Sequence, residues 1–149
     1  MHTLRILIVE DEALIAADLA GQLESLGYRS IGTVLSGEEA DERTGKLQPD
    51  LILMDIQMPV MDGFQATAEI RRRESELGHP IVIAMTPHAM KGDREMCVAA
   101  GMDDYICKPI KRDELRATLM RWLQGKGQFD RGRIMPDSPS SETLTSQYG

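Results

Sequence analysis

The chain has only two cysteines, Cys97 and Cys107, in 149 residues. Two isolated thiols make neither a zinc-ligand pattern nor a disulfide framework, so a reducing compartment, the cytoplasm, is the expectation. Aromatic residues are scarce as well, with one Trp, three Tyr and two Phe. Seven of the ten methionines fall between Met54 and Met102, where they are expected to fill core space. No apolar run approaches the roughly 18 residues of a membrane span, and no signal-peptide pattern opens the chain, so no membrane insertion is expected. Basic charge is in deficit: 17 Lys and Arg face 24 Asp and Glu, for a net charge of −7. That balance argues against direct nucleic-acid binding, which needs a basic face to displace counterions. His2, His79 and His88 are scattered without metal-ligand spacing, and there are no internal repeats.

What is present is an alternation of short apolar runs with helical patterns. Leu4 to Val9 is nearly all apolar, as a strand covered on both faces requires. Ala13 to Leu26 follows with Ile15, Leu19, Leu23 and Leu26 on one face and Gly27 placed to end the helix. Ile31 to Leu35 is a second strand, and Ser36-Gly37-Glu38-Glu39 has the capping-box spacing of a helix start. Further strands are expected at Leu51 to Met54, Ile81 to Met85 and Tyr105 to Cys107. Helices are expected from about Phe64 to Glu76, His88 to Ala100 and Lys111 to Trp122. Five strands alternating with five helices predict an α/β, doubly wound parallel sheet with helices on both faces. Residues 1–125 form this domain. Residues 126–149 are rich in Gly, Pro, Ser and Thr, carry no net charge, and are expected to be a flexible tail or linker.

In such sheets ligands bind beyond the carboxyl ends of the strands. Glu10-Asp11-Glu12 follows the first strand, Asp55 the third, Thr86 the fourth and Lys108-Pro109 the fifth. Any one acid after a strand is usually a helix cap or loop solvation, and Asp11 alone reads equally well as the cap of the first helix. Asp55 follows four apolar residues and precedes Ile56, which does not start a helix. Clustered carboxylates repel and disfavour folding unless a cation sits among them. A few hard oxygen ligands suit Mg²⁺, which keeps several waters and accepts a phosphate oxygen. A carboxylate beside such an ion can act as a nucleophile toward phosphorus, with a lysine neutralising the transferring group. The residues thus predict a Mg²⁺-assisted phosphoacceptor aspartate.

The same segments resemble the receiver domains of two-component response regulators. The resemblance rests on Ile8-Val9-Glu10-Asp11-Glu12, Leu53-Met54-Asp55-Ile56-Gln57-Met58-Pro59, Met61-Asp62-Gly63, Ala84-Met85-Thr86 and Lys108-Pro109. It covers about residues 4–124, and Gly92 to Tyr105 looks most like the receivers of hybrid histidine kinases. It implies a flavodoxin-like strand order 2-1-3-4-5 and phosphorylation of Asp55 by a histidine kinase or histidine phosphotransfer protein. It also implies Mg²⁺ held by the carboxylates of Asp11 and Asp55, the backbone carbonyl of Gln57, and Glu10 through water. Lys108 would pair with Asp55 or its phosphoryl group across a cis bond to Pro109. Thr86 and Tyr105 match the family's switch pair. They would bias the face formed by the fourth predicted helix, the fifth strand and the fifth helix, a face also open to homodimerisation. Such a domain catalyses its own phosphorylation and dephosphorylation but is not a metabolic enzyme. Pro59 would restrict the loop after the site, and Gly63 would permit a turn before the third helix.

The family usually has a small residue after the switch threonine, whose N–H helps hold the phosphoryl oxygens; Pro87 has none. One donor fewer would destabilise the phosphorylated state by about 1–3 kcal/mol, and Pro87 could also start the fourth helix. His88 is read as an exposed helix residue, the alternative being an influence on the hydrolytic water. On the first helix Leu14, Ala17, Asp18 and Gly21 form a second face, suited to a histidine-bearing partner helix or else an ordinary alanine-rich surface. A haloacid-dehalogenase-type phosphatase wants an aspartate two residues past the nucleophile, where this chain has Gln57. A flavodoxin-like nucleotide binder lacks its Gly-rich loop here. The remaining alternative is a degenerate receiver that binds partners without phosphorylation. With no output domain after residue 125, a stand-alone receiver, a relay shuttle or a piece of a hybrid kinase is expected.

Overall fold

A computed structural model of the chain describes residues 4–87 and 91–123. The expected readings for His88 and for the 126–149 tail lie outside the described residues. The element order is β1 (Arg5–Val9), α1 (Ala13–Ser25), β2 (Arg29–Val34), α2 (Gly37–Leu47), β3 (Leu51–Asp55), α3 (Gly63–Arg72), α4 (Glu74–Leu77), β4 (Ile81–Thr86), α5 (Lys91–Ala100), β5 (Asp104–Cys107) and α6 (Arg112–Leu123). By Cα proximity the chain divides into residues 1–116 and 117–149, and the described part of the second is the end of α6.

The five strands form one parallel sheet in the order β2-β1-β3-β4-β5. The central strands read as continuous apolar runs because both faces are covered. Leu7, Val9, Ile52, Met54, Val82 and Ala84 point to one side, into a core completed by Ala40 of α2, Ala66 and Ile70 of α3, and Cys97 of α5. Their neighbours Ile6, Ile8, Leu51, Leu53, Ile83 and Met85 point the other way and are equally buried. There α1 lies against β1 and β2, with Leu19 and Leu23 buried. Methionines do fill core space, since Met54, Met58, Met85 and Met102 are buried, although Met96 is exposed.

Among the described residues there are six helices where five were expected. The run read as one helix from Phe64 to Glu76 breaks at Arg73, which leaves helical geometry at φ −109°, ψ 25°. Its guanidinium reaches Asp41 on α2, 2.7 Å away, so a tertiary ion pair prevails over local helix propensity. The predicted start of α2 holds: Ser36 accepts from Glu39 N–H at 3.1 Å. The return bond goes to Leu35 N–H, not to the cap residue itself. A full capping box that the sequence reading passed over starts α3, where Asp62 and Gln65 exchange side-chain-to-backbone bonds of 2.8 and 2.9 Å. Pro87 lies in a bend outside the helices.

Candidate phosphoacceptor site

Strand register brings the site together. Val9 is level with Met54, Asp55 with Met85, and Thr86 with Cys107. Glu10, Asp55, Thr86 and Lys108 therefore emerge at the same edge of adjacent strands. Backbone bonds lock that edge: Glu10 N–H to Val34 O at 3.0 Å, Ile56 N–H to Met85 O at 3.2 Å and Lys108 N–H to Thr86 O at 2.7 Å. Glu10, Asp55 and Thr86 are almost wholly buried.

One oxygen from each of Glu10, Asp11 and Asp55 lies within 4.8 Å of the others. Against these three carboxylates stands one ammonium. Lys108 Nζ donates to Asp55 Oδ1 at 3.2 Å and lies 2.9 Å from Glu10 Oε1. The second approach is an ion pair by distance without hydrogen-bond alignment, so Glu10 Oε1 remains a buried oxygen with no donor. Asp55 Oδ1 also accepts from Gln57 N–H at 3.0 Å, and Glu10 Oε2 from Glu12 N–H at 3.1 Å. Asp11 does not cap α1; the N-cap position is Glu12 and no side chain closes it. Its carboxylate is thus left for the cluster.

The electrostatics follow from this imbalance. Burial, with Glu10 adding to it, pushes the Asp55 carboxyl up to about 7, even though Gln57 N–H and Lys108 pull the other way. Burial alone would lower the Lys108 ammonium, but pairing with the Glu10 and Asp55 carboxylates outweighs it and holds it above the ordinary value. A divalent cation would relieve the first effect and bring Glu10 Oε1 a second positive partner beside Lys108, directly or through water. The all-oxygen donor set fits Mg²⁺. Among the described residues this is the one acidic, Cys or His cluster suited to a metal ion.

The other expected residues surround this centre. Ala84 is level with Tyr105, and Thr86 lies two residues beyond Ala84, so alternation puts Thr86 and Tyr105 on one face of the sheet. Tyr105 is half-buried against the core. Lys108–Pro109 is cis, as the resemblance implied. Gly63 is needed for a different reason from the turn expected of it. A Cβ there would sit 2.4 Å from the backbone oxygen of Asp55, so α3 starts against the end of β3 only because residue 63 has no side chain. The turn strain falls instead on Val60, exposed, with φ 69°.

A family model for the response regulator receiver domain matches residues 6–120. The chain belongs to that family. Two-component system protein A of Emericella nidulans is 44% identical over 120 residues, which are 79% of this chain and 17% of that protein. The histidine-protein kinase BarA of Escherichia coli is 47% identical over 92 residues, 62% of this chain and 10% of that kinase. The chain therefore spans less than a fifth of either relative. Among solved structures, the receiver domain of a sensor histidine kinase from Pseudomonas aeruginosa is 42% identical with a TM-score of 0.73, covering 83% of this chain and 99% of that one. That structure holds a magnesium ion in its active-site cleft. The receiver domain of a Saccharomyces cerevisiae response regulator, crystallised with a histidine phosphotransfer protein, is 25% identical with a TM-score of 0.78, covering 87% of this chain and 94% of that one. This chain is a receiver domain of two-component phosphorelay proteins. Among the described residues no helix is long and apolar enough to cross a membrane.

Proposed function

We propose that Asp55 is the phosphoacceptor and takes its phosphoryl group from a phosphohistidine on a histidine kinase or histidine phosphotransfer protein in the cytoplasm. The observation that carries this reading is the buried Asp55 carboxylate bonded to Lys108 inside a three-carboxylate cluster. An Asp55 oxygen attacks phosphorus, an O–P bond forms, the N–P bond breaks, and its electron pair returns to the imidazole nitrogen. Bound Mg²⁺ supplies positive charge for the phosphoryl oxygens. Asp11 and Asp55 would hold it by carboxylate, Gln57 by its backbone carbonyl and Glu10 through water. Lys108 adds a fixed ammonium beside the transferring group, and the Thr86 hydroxyl donates to a phosphoryl oxygen once one is present. Thr86 and Tyr105 then shift together and alter the surface of β5 and α5. Water attack on the same phosphorus returns Asp55, so the domain turns over only its own phosphoryl group.

The docking face is α1, where Leu14, Ala17, Asp18 and Gly21 are exposed on the side away from the core. A histidine phosphotransfer protein carrying radiolabelled phosphohistidine tests the proposal. Label should move to this chain with Mg²⁺ and fail to move to Asp55→Asn. Transfer that survives the substitution would overturn it.

A further inference from the structure

Resting on the reading of Lys108 as the ammonium beside the phosphoryl group, we infer that Gln22 is a positioning residue for that lysine. Gln22 lies on α1, far from Lys108 in sequence. Its Nε2 donates 3.0 Å to the carbonyl oxygen of Ile110, two residues beyond Lys108. The second Nε2 hydrogen goes to Asp18 Oδ2 at 2.9 Å. Both neighbours are acceptors, which fixes the amide orientation; the flipped form would set Oε1 against two oxygens. Oε1 itself is buried with no partner. The amide is thus held in an environment that leaves one of its atoms unsatisfied, and its donor side faces the loop.

That loop is anchored on two sides. Lys108 N–H bonds to Thr86 O on the β4 side, and Gln22 holds Ile110 O on the α1 side. Between these points the Lys108 side chain must place one ammonium within 2.9 Å of Glu10 and 3.2 Å of Asp55. A longer, exposed bond from Arg112 to Ser25, 3.4 Å, runs parallel to the Gln22 contact. Releasing the α1 anchor lets the carbonyl after Pro109 drift, and the lysine between the two anchors drifts with it. Asp18, on the exposed face of α1, shares the same amide, so a group that engages Asp18 acts on the hold over Ile110.

The test uses Mg²⁺-dependent labelling of the intact chain by acetyl phosphate. Gln22→Met keeps length and helix propensity but removes the donor, and it should slow labelling about tenfold through misplacement of the ammonium. Gln22→Lys restores a donor toward Ile110 and should return the rate to near that of the parent, whereas Gln22→Glu, with no donor, should not. In a Lys108→Ala background Gln22→Met should add nothing further. An unchanged rate for Gln22→Met in the parent, or an equal loss in the Lys108→Ala background, would overturn the inference. Label that persists in Asp55→Asn would instead overturn the phosphoacceptor reading, and this inference with it.

Discussion

At the amino ends of β4 and β5 the half-buried guanidinium of Arg71 donates to Gly101 O at 2.9 Å, Pro80 O at 2.8 Å and Asp103 Oδ2 at 2.9 Å. Asp103 also accepts from Val82 N–H at 2.9 Å. At the opposite ends of β1 and β3, three carboxylates share one ammonium, and a buried oxygen of Glu10 has no donor. Both ends take charge out of water. At the Arg71 end acid and base meet with geometry that compensates desolvation. At the Asp55 end the carboxylates outnumber the ammonium, and under the proposed function the balancing charge arrives from outside as a metal ion and a phosphoryl group. The contrast separates a charge that fastens the fold from one that serves chemistry.

The largest effect is expected at the fastening end. Arg71→Met leaves the half-buried Asp103 carboxylate without its cation and should lower stability by about 3–5 kcal/mol in urea unfolding. A loss within error of zero would erase the difference between the two ends. The chemical end should respond in the opposite sense. The Asp55 carboxyl sits at about 7 when folded and near its ordinary 3.8 when unfolded. Its protonated form is therefore favoured by folding. That contribution is complete below the unfolded value and is lost as pH rises through about 7. Metal-free protein in mildly alkaline buffer should accordingly gain about 1–2 kcal/mol from Asp55→Asn. Mg²⁺ affinity, read by calorimetry, should climb by about tenfold per pH unit below the Asp55 value and level off above it. A flat affinity profile would mean that Asp55 does not carry the strain. The smallest effect is expected at the rim, where Val60→Gly relieves the left-handed backbone and should stabilise by about 1 kcal/mol.

Much of this was legible in the residues. The three central strands, covered on both faces, announce themselves as apolar runs, and the edge strands β2 and β5 were legible from their short β-branched and aromatic runs. Asp55 was legible because an acid ending Leu51-Ile52-Leu53-Met54 has no role in a core. Its pairing with Lys108 was expected only through the family resemblance, since the two are 53 residues apart and meet through the β3-β4-β5 register. The break before α4 was hidden because Arg73 is a good helix former locally and leaves the helix for Asp41, a partner on another element. The steric need for Gly63 was not legible, because the pressure from Asp55 O is a tertiary fact. The Asp62 cap had a visible signal, Gln65 three residues on, that went unused. Nothing in the spacing of Gln22 pointed to Ile110, 88 residues away.

The most direct measurement is to map the phosphoryl group itself. After incubation with acetyl phosphate and Mg²⁺, borohydride reduction of the acyl phosphate and peptide mass analysis should place a single modification on Asp55, absent when Mg²⁺ is chelated. A modification at Asp11, Glu10 or any other side chain, or none at all, would contradict the assignment of Asp55 as the residue that the carboxylate cluster and Lys108 serve.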